Sequence, residues 1–235
     1  MSDLLHCERL TKKFGNTTAL NSVDLTLQGG KRIGLLGPNG SGKTTLLKLA
    51  ANLLVPTEGI ITVDGRLPGT ETKKIVSFLP DNLSLFEDMS GNQIVGMFSD
   101  FYEDFRSEKA LQMINELSVD PSKKLKTLSK GTKEKVALIL AMSRNAKLYL
   151  LDEPIAGVDP AARDYIIHTI LELTNPESSV LISTHLISDI EDILDDVIFL
   201  KNGSVVRHES AESMREAEGK SVDECFREVF RWDAN

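Results

Sequence analysis

Four short runs of this sequence carry groups that can hold and cleave a phosphoanhydride. "GPNGSGKTT", Gly37 to Thr45, fits the spacing G-x-x-x-x-G-K-T over Gly37, Gly42, Lys43 and Thr44. Backbone N–H groups of Gly37, Asn39, Gly40, Ser41 and Gly42, with Pro38 setting the turn between the first two, can close round phosphates only where side chains stay out of the way. Lys43 then reaches the β- and γ-oxygens, the Thr44 hydroxyl is placed to ligate Mg²⁺, and Thr45 follows in the first helical turn. The group bound is a nucleoside triphosphate. "LLDEP" ends an apolar run in Asp152, a magnesium partner through water, and Glu153, a base for an attacking water. "STH" ends another in His185, which can donate to a developing phosphate charge. In "TLSKGT", Ser129, Lys130 and Gly131 open a helix whose unpaired N–H groups form an anion site, a second one in a chain that already has a phosphate cradle.

These runs need elements that bring them together. "RIGLLG", "LYLLDE" and "SVLIST" read as short apolar strands, followed by helices from Lys43, after Pro160 and around Ile187. Such alternation predicts a parallel sheet with helices on its faces and ligands at its carboxyl edge. Residues 81–145 offer helical patterns and no convincing strand, which predicts a helical subdomain inserted into an α/β core formed by 1–80 and 146–209. The tail, 210–235, reads as two short helices divided by "EGKS".

The 235 residues carry a net charge of −8, which argues against a general basic surface for nucleic acid, so no nucleic-acid partner is expected. Val136–Met142 is the longest apolar run, far short of the roughly 20 residues that span a bilayer. The charged opening "MSDLLHCERLTKKFG" predicts no secretory leader. Cys7 and Cys225, far apart, read as reduced thiols of a cytosolic protein. His6, His168 and His208 read as structural or solvated.

As an ordered set these residues resemble the nucleotide-binding subunits of ABC transporters. The resemblance runs from Phe14 in "KKFGNTTAL" through the cradle, "FLPDN", "LSKGT", "LLDEP" and "AGVDP" to "STH", nearly the whole chain. It implies a P-loop NTPase (RecA-like) core with an N-terminal antiparallel β subdomain and an inserted helical subdomain. It also implies that two such chains pair head to tail around two ATP molecules, in a homo- or heterodimer. Phe14 would stack on adenine, the alternative being a core ring in the first hairpin. Ser129 and the Gly131 amide would serve the partner's ATP. Asp159 would lie in the loop joining the two sites. "LSKG", "FLPDN" and "SDFYEDF" resemble a branch of small bacterial exporter ATPases.

Two departures from the family stand out. Asp81 occupies the place of a Gln that would ligate Mg²⁺ and sense the membrane half; Asp81 can hold magnesium too, and Asn82 is adjacent. Lys130 and Thr132 replace the second glycine and the Gln of the usual signature, and Lys130 is expected to point to water. Of the aromatics between Phe78 and Phe105, most read as subdomain core, with Phe86 or Tyr102 as exposed anchors for a membrane subunit. The resulting expectation is an ATPase of the cytoplasmic membrane face, bound peripherally through a separate membrane-spanning chain. The competing reading is a soluble ABC-type ATPase of DNA repair, chromosome maintenance or metal-cluster assembly. A small-molecule P-loop kinase would leave the signature and "STH" unexplained.

Overall fold

The computed structural model describes residues 3–81, 87–156, 158 and 160–231. Asp3–Phe14 (β1) and Thr17–Gln28 (β2) form an antiparallel hairpin that turns at Gly15-Asn16, with Phe14 opposite Thr17. Arg32–Leu36 (β3) leads into Lys43–Ala50 (α1). Glu58–Val63 (β4) returns to the free side of β1 and completes a three-stranded antiparallel sheet, β2-β1-β4. After Thr70–Lys73 (α2) comes Val76–Leu79 (β5), then the helical segment Gly91–Phe101 (α3), Ser107–Glu116 (α4) and Lys130–Met142 (α5). Leu148–Asp152 (β6), Pro160–Leu173 (α6), Ser179–Thr184 (β7), Asp196–Lys201 (β8) and Ser204–Ser210 (β9) finish the core. The second sheet has the order β5-β6-β7-β3-β8-β9, parallel except for β9.

Side-chain alternation divides each central strand between two cores. Tyr149 and Leu151, Val180 and Ile182, and Val197 and Phe199 face the side covered by α5, α6 and the helical subdomain. Leu148 and Leu150, Leu181, and Ile198 and Leu200 face α1 and the three-stranded sheet. The strands are therefore buried on both faces, as their near-continuous apolar sequences require.

Local chemistry sets the helix ends. Ser90 and Gln93 form a reciprocal capping box at α3. Ser210 caps Ala211–Glu218 (α7), Gly219 ends it in the left-handed region, and Ser221 with Glu224 caps Val222–Val229 (α8). Phe226 and Phe230 of this tail pack on Phe199. The helix expected around Ile187 is instead two 3₁₀ turns, Ile187–Asp189 and Glu191–Ile193. Ile187, Ile190 and Ile193 recur every third residue, the period of a 3₁₀ helix rather than an α-helix. Cys7 and Cys225 are free and buried; burial first, then the neighbouring Asp24, pushes the Cys7 thiol up to about 12.

Two arginines fasten the helical subdomain. Arg106 donates to Met142 O at 2.8 Å, Arg144 O at 3.0 Å and Leu173 O at 3.2 Å, bringing a cation to the carbonyl ends of α5 and α6. Buried Arg144 pairs with Asp104 at 2.7 Å, donates to Lys74 O at 2.7 Å and Val76 O at 3.2 Å, and lies over the Tyr102 ring at 3.9 Å. Arg144→Ala would strip a partly buried carboxylate and buried carbonyls of their donor together. The expected loss is about 3 kcal/mol of unfolding free energy, measured by urea titration.

Candidate functional site

The cradle hangs on glycines for separate reasons. A Cβ on Gly37 would come within 2.5 Å of Leu200 O and of Ser41 Oγ. Gly42 has φ 109° and faces Ala19 O, so neither its conformation nor its surroundings admit a side chain. The loop is pinned from below by Gly203 N donating to Ser41 O at 3.0 Å, while Pro38, Asn39 and Gly40 face solvent. Ser41 is buried, and Thr44 and Thr45 are half-buried at the start of α1. Lys43 is buried too, donating to Gly37 O at 2.7 Å and Pro38 O at 3.3 Å.

Asp152 and Glu153 stand at the carboxyl end of β6, beside this lysine. Asp152 is 1% exposed; its Oδ1 accepts from Thr44 Oγ1 at 3.1 Å and Ser183 Oγ at 2.6 Å. Its Oδ2 is buried with no hydrogen-bond partner among the described residues. A desolvated carboxylate oxygen beside a threonine hydroxyl is a donor set that suits a hard cation with water ligands, so Thr44 and Asp152 fit Mg²⁺. Glu153 is bonded on both oxygens: Oε1 is 3.2 Å from Lys43 Nζ, and Oε2 accepts from His185 Nδ1 at 2.9 Å. Its backbone is left-handed, φ 50°, held by its N–H donating to the Ser183 carbonyl and hydroxyl. With Nδ1–H turned to Glu153, donation from Nε2 of His185 to a phosphate requires protons on both ring nitrogens.

Ser183 was not marked by the sequence reading, although it holds both carboxylates in place. The available signal was a hydroxyl inside the otherwise apolar "VLIST", two residues before His185 and so on the same side of the strand.

A cavity of about 310 Å³ opens beside the carboxylates, lined by Asp81, Asp152, Glu153, Lys130 and Lys133. Asp81 is thus brought to the same cavity as Asp152, from an exposed position. Ser129 caps α5, accepting from Thr132 N at 3.2 Å. Lys130 is 88% exposed with Glu134 at 3.7 Å, and a Cβ on Gly131 would meet nothing within 4 Å. Phe14 is 48% exposed at the end of β1, which removes the alternative of a core ring. Asp159, Asn82 and Phe86 lie outside the described residues.

A groove of about 400 Å³ separates the core from the helical subdomain, with Leu53, Phe78, Phe98, Tyr102 and Arg144 on its walls. The expectation for Tyr102 needs correction: it is half-buried, stacked under Arg144 and near Phe98, and Phe101 is the free ring at 76% exposure. Phe101 is the last residue of α3 and Tyr102 its extended C-cap, so the two adjacent rings leave the helix end in different directions.

Residues 20–156 match the model of the family described as "ABC transporter". The chain is similar to the uncharacterized ABC transporter ATP-binding protein YdbJ of Bacillus subtilis (strain 168), with 32% identity over 94% of this chain and 74% of that one. It is similar to the bacitracin transport ATP-binding protein BcrA of Enterococcus faecalis, with 31% identity over 88% of this chain and 69% of that one. A solved structure of the ATP-binding subunit of an ABC transporter has a TM-score of 0.86, covering 97% of this chain and 100% of that chain at 26% identity.

Ser183→Ala would remove one of the two hydroxyls on Asp152 and a support of the Glu153 backbone. The Mg²⁺ concentration that half-saturates nucleotide hydrolysis is expected to rise about tenfold, the usual cost of losing a support behind a ligand. A metal titration of the hydrolysis rate checks this.

Proposed function

The chain belongs to the ABC transporter family as an ATP-binding, ATP-hydrolysing subunit, and from that premise we propose that two such subunits close on ATP to drive a separate membrane-spanning partner in export. The observation that carries the pairing is Gly131. Glycine in the first turn of a helix costs stability relative to alanine, and among the described residues no atom outside its own helical turn comes within 4 Å of where its Cβ would stand. The room is of use to a group from outside, and the exposed Ser129 hydroxyl and the N-terminal end of α5 beside it suit a triphosphate. Ser129 and Gly131 therefore face the ATP of the other subunit, and Asp159 belongs to the loop between the sites.

Within one subunit the geometry supports a division of labour. Phe14 stacks on adenine, and the amides of Gly37 to Gly42 and the side chain of Lys43 hold the phosphates. When bound, Mg²⁺ neutralises phosphate oxygens; Thr44 and Asp152 would hold it, with Asp81 at the cavity rim. Lys43 is drawn toward the phosphates and away from Glu153, whose Oε1 then accepts a proton from the attacking water. His185 keeps Glu153 oriented through Oε2 and, doubly protonated, donates to the γ-phosphate.

The groove beside Phe98 and Tyr102, with Phe101 free nearby, supports a docking place for the membrane subunit. Among the described residues no helix is long and apolar enough to cross a membrane. The subunit works at the cytoplasmic face through that partner. Export is the direction that "LSKG", "FLPDN" and "SDFYEDF" favour by their resemblance to small bacterial exporter ATPases.

Two inactive variants test the pairing. Lys43→Ala breaks the cradle and Ser129→Arg the signature. Mixed in equal amounts, they are expected to recover ATPase activity, up to about half the wild-type rate if half the dimers are mixed and sites act independently. No recovery from demonstrated mixed dimers would overturn completion of each site by the partner. Separately, Glu153→Gln should cut turnover at least about 100-fold while retaining ATP binding. Size-exclusion chromatography in Mg-ATP should then show it as a stable dimer.

A further inference from the structure

We propose that Lys12 is a positioning residue for the nucleotide base, fixing and polarising the ring of Phe14 from behind; this rests on the stacking role given to Phe14 above. The Lys12 ammonium lies over that ring, 5.1 Å from its centroid. It is held there by a second contact, donating at 2.8 Å to Val55 O in the connection between α1 and β4. The strand end carrying both residues is strapped to the same connection. Thr57 N donates to Thr11 O at 2.8 Å, Lys13 N to Thr57 Oγ1 at 3.0 Å, and Lys13 Nζ pairs with Glu58 at 2.9 Å. A nearly half-exposed phenyl ring at a strand end would otherwise be free to rotate. Here one face is occupied by a cation tied to the backbone, and Phe14 keeps 48% of its surface open to solvent.

The physical consequence is specific to a base. Both faces of a phenyl ring carry negative charge, so two π-systems repel when stacked fully face to face. A cation on one face draws that charge toward itself and makes the far face a better platform for an electron-rich purine. Fixing the ring beforehand also removes part of the rotamer entropy that stacking would cost. Lys12 is thus expected to act on the base through Phe14 and to leave the phosphates alone.

Calorimetric titration of the whole chain with ATP and with tripolyphosphate tests this. Lys12→Met should weaken ATP binding about two- to fivefold, the scale of an exposed cation–π contact, and leave tripolyphosphate binding unchanged. Lys12→Arg should restore ATP affinity, because guanidinium also sits on aromatic faces. In a Phe14→Leu background, Lys12→Met should have no further effect. Equal weakening of ATP and tripolyphosphate would overturn the proposal in favour of bulk electrostatics, as would the same loss with Phe14 absent. If Phe14→Leu weakens ATP and Lys12→Met does not, the role of Lys12 falls and stacking stands. If Phe14→Leu binds ATP as wild type does, the stacking reading itself falls.

Discussion

Parallel register at the carboxyl edge of the large sheet decides where every group of the site stands. Leu36 is paired with Thr184, and Asp152 with Ser183. The residues that follow these pairs are the cradle, Glu153 and His185, so three segments far apart in the chain leave the sheet side by side. A slip of one residue in β6 would turn Asp152 into an apolar core and Leu151 toward the cradle. The apolar runs Leu148 to Leu151 and Val180 to Ile182 oppose that slip, because each has one set of side chains matched to each core. Catalytic geometry here is a by-product of hydrophobic alternation.

The same edge concentrates charges that are costly to bury singly. Lys43 and Glu153 have side chains only 6% and 11% exposed, and they pair at 3.2 Å. Such a pair gains little net stability over apolar packing, whereas removing one partner leaves the other stranded. Its value lies in being exchangeable. In the proposed function a triphosphate would offer Lys43 a stronger anion than one carboxylate, and the exchange would leave Glu153 with a free oxygen at the moment substrate is in place. The left-handed backbone at Glu153 fits this account. It is a strained conformation kept by two hydrogen bonds from its N–H to Ser183, and it aims the carboxylate across β7 at His185.

What could be read in the sequence was local chemistry. Gly37 to Thr45 are contiguous, and their φ and contact requirements follow from their types. "LLDEP" and "STH" announce themselves as polar groups at the ends of apolar strands. The two tail helices were visible from the "EGKS" that divides them. What escaped were contacts between distant segments. Ser183 matters because β7 lies beside β6. Arg106 and Arg144 look like any surface arginine until helix ends converge on them. Lys12 gains its meaning from Val55. Tyr102 and Phe101 are adjacent in sequence, and only the end of α3 between them, with Arg144 over one ring, says which one is free. The turns at Ile187 differ from the helix expected after β7 because Ile187, Ile190 and Ile193 recur every third residue, the 3₁₀ period.

The arginine anchors also explain how a movement at one end of α5 can matter at the other. Val136 to Met142 are buried on every side of the helix, and Arg106 holds its last carbonyls together with that of Leu173. Arg144, directly after, binds the carbonyls at the start of β5 and the ring of Tyr102. The first turn is held more lightly: Ser129 and Lys130 are exposed, and Lys133 pairs with the exposed Glu87 at 2.6 Å. A helix fixed at its C-terminal half and lightly held at its N-terminal end acts as a lever rather than a hinge, because its own backbone hydrogen bonds resist bending between the two. In the proposed function a ligand drawing on Ser129 would tilt α5 as a body, and α3 and α4 pack with it in one core. The groove wall formed by Phe98 and Tyr102 belongs to that core, so force applied at the signature arrives at the groove through close-packed side chains rather than through a loop.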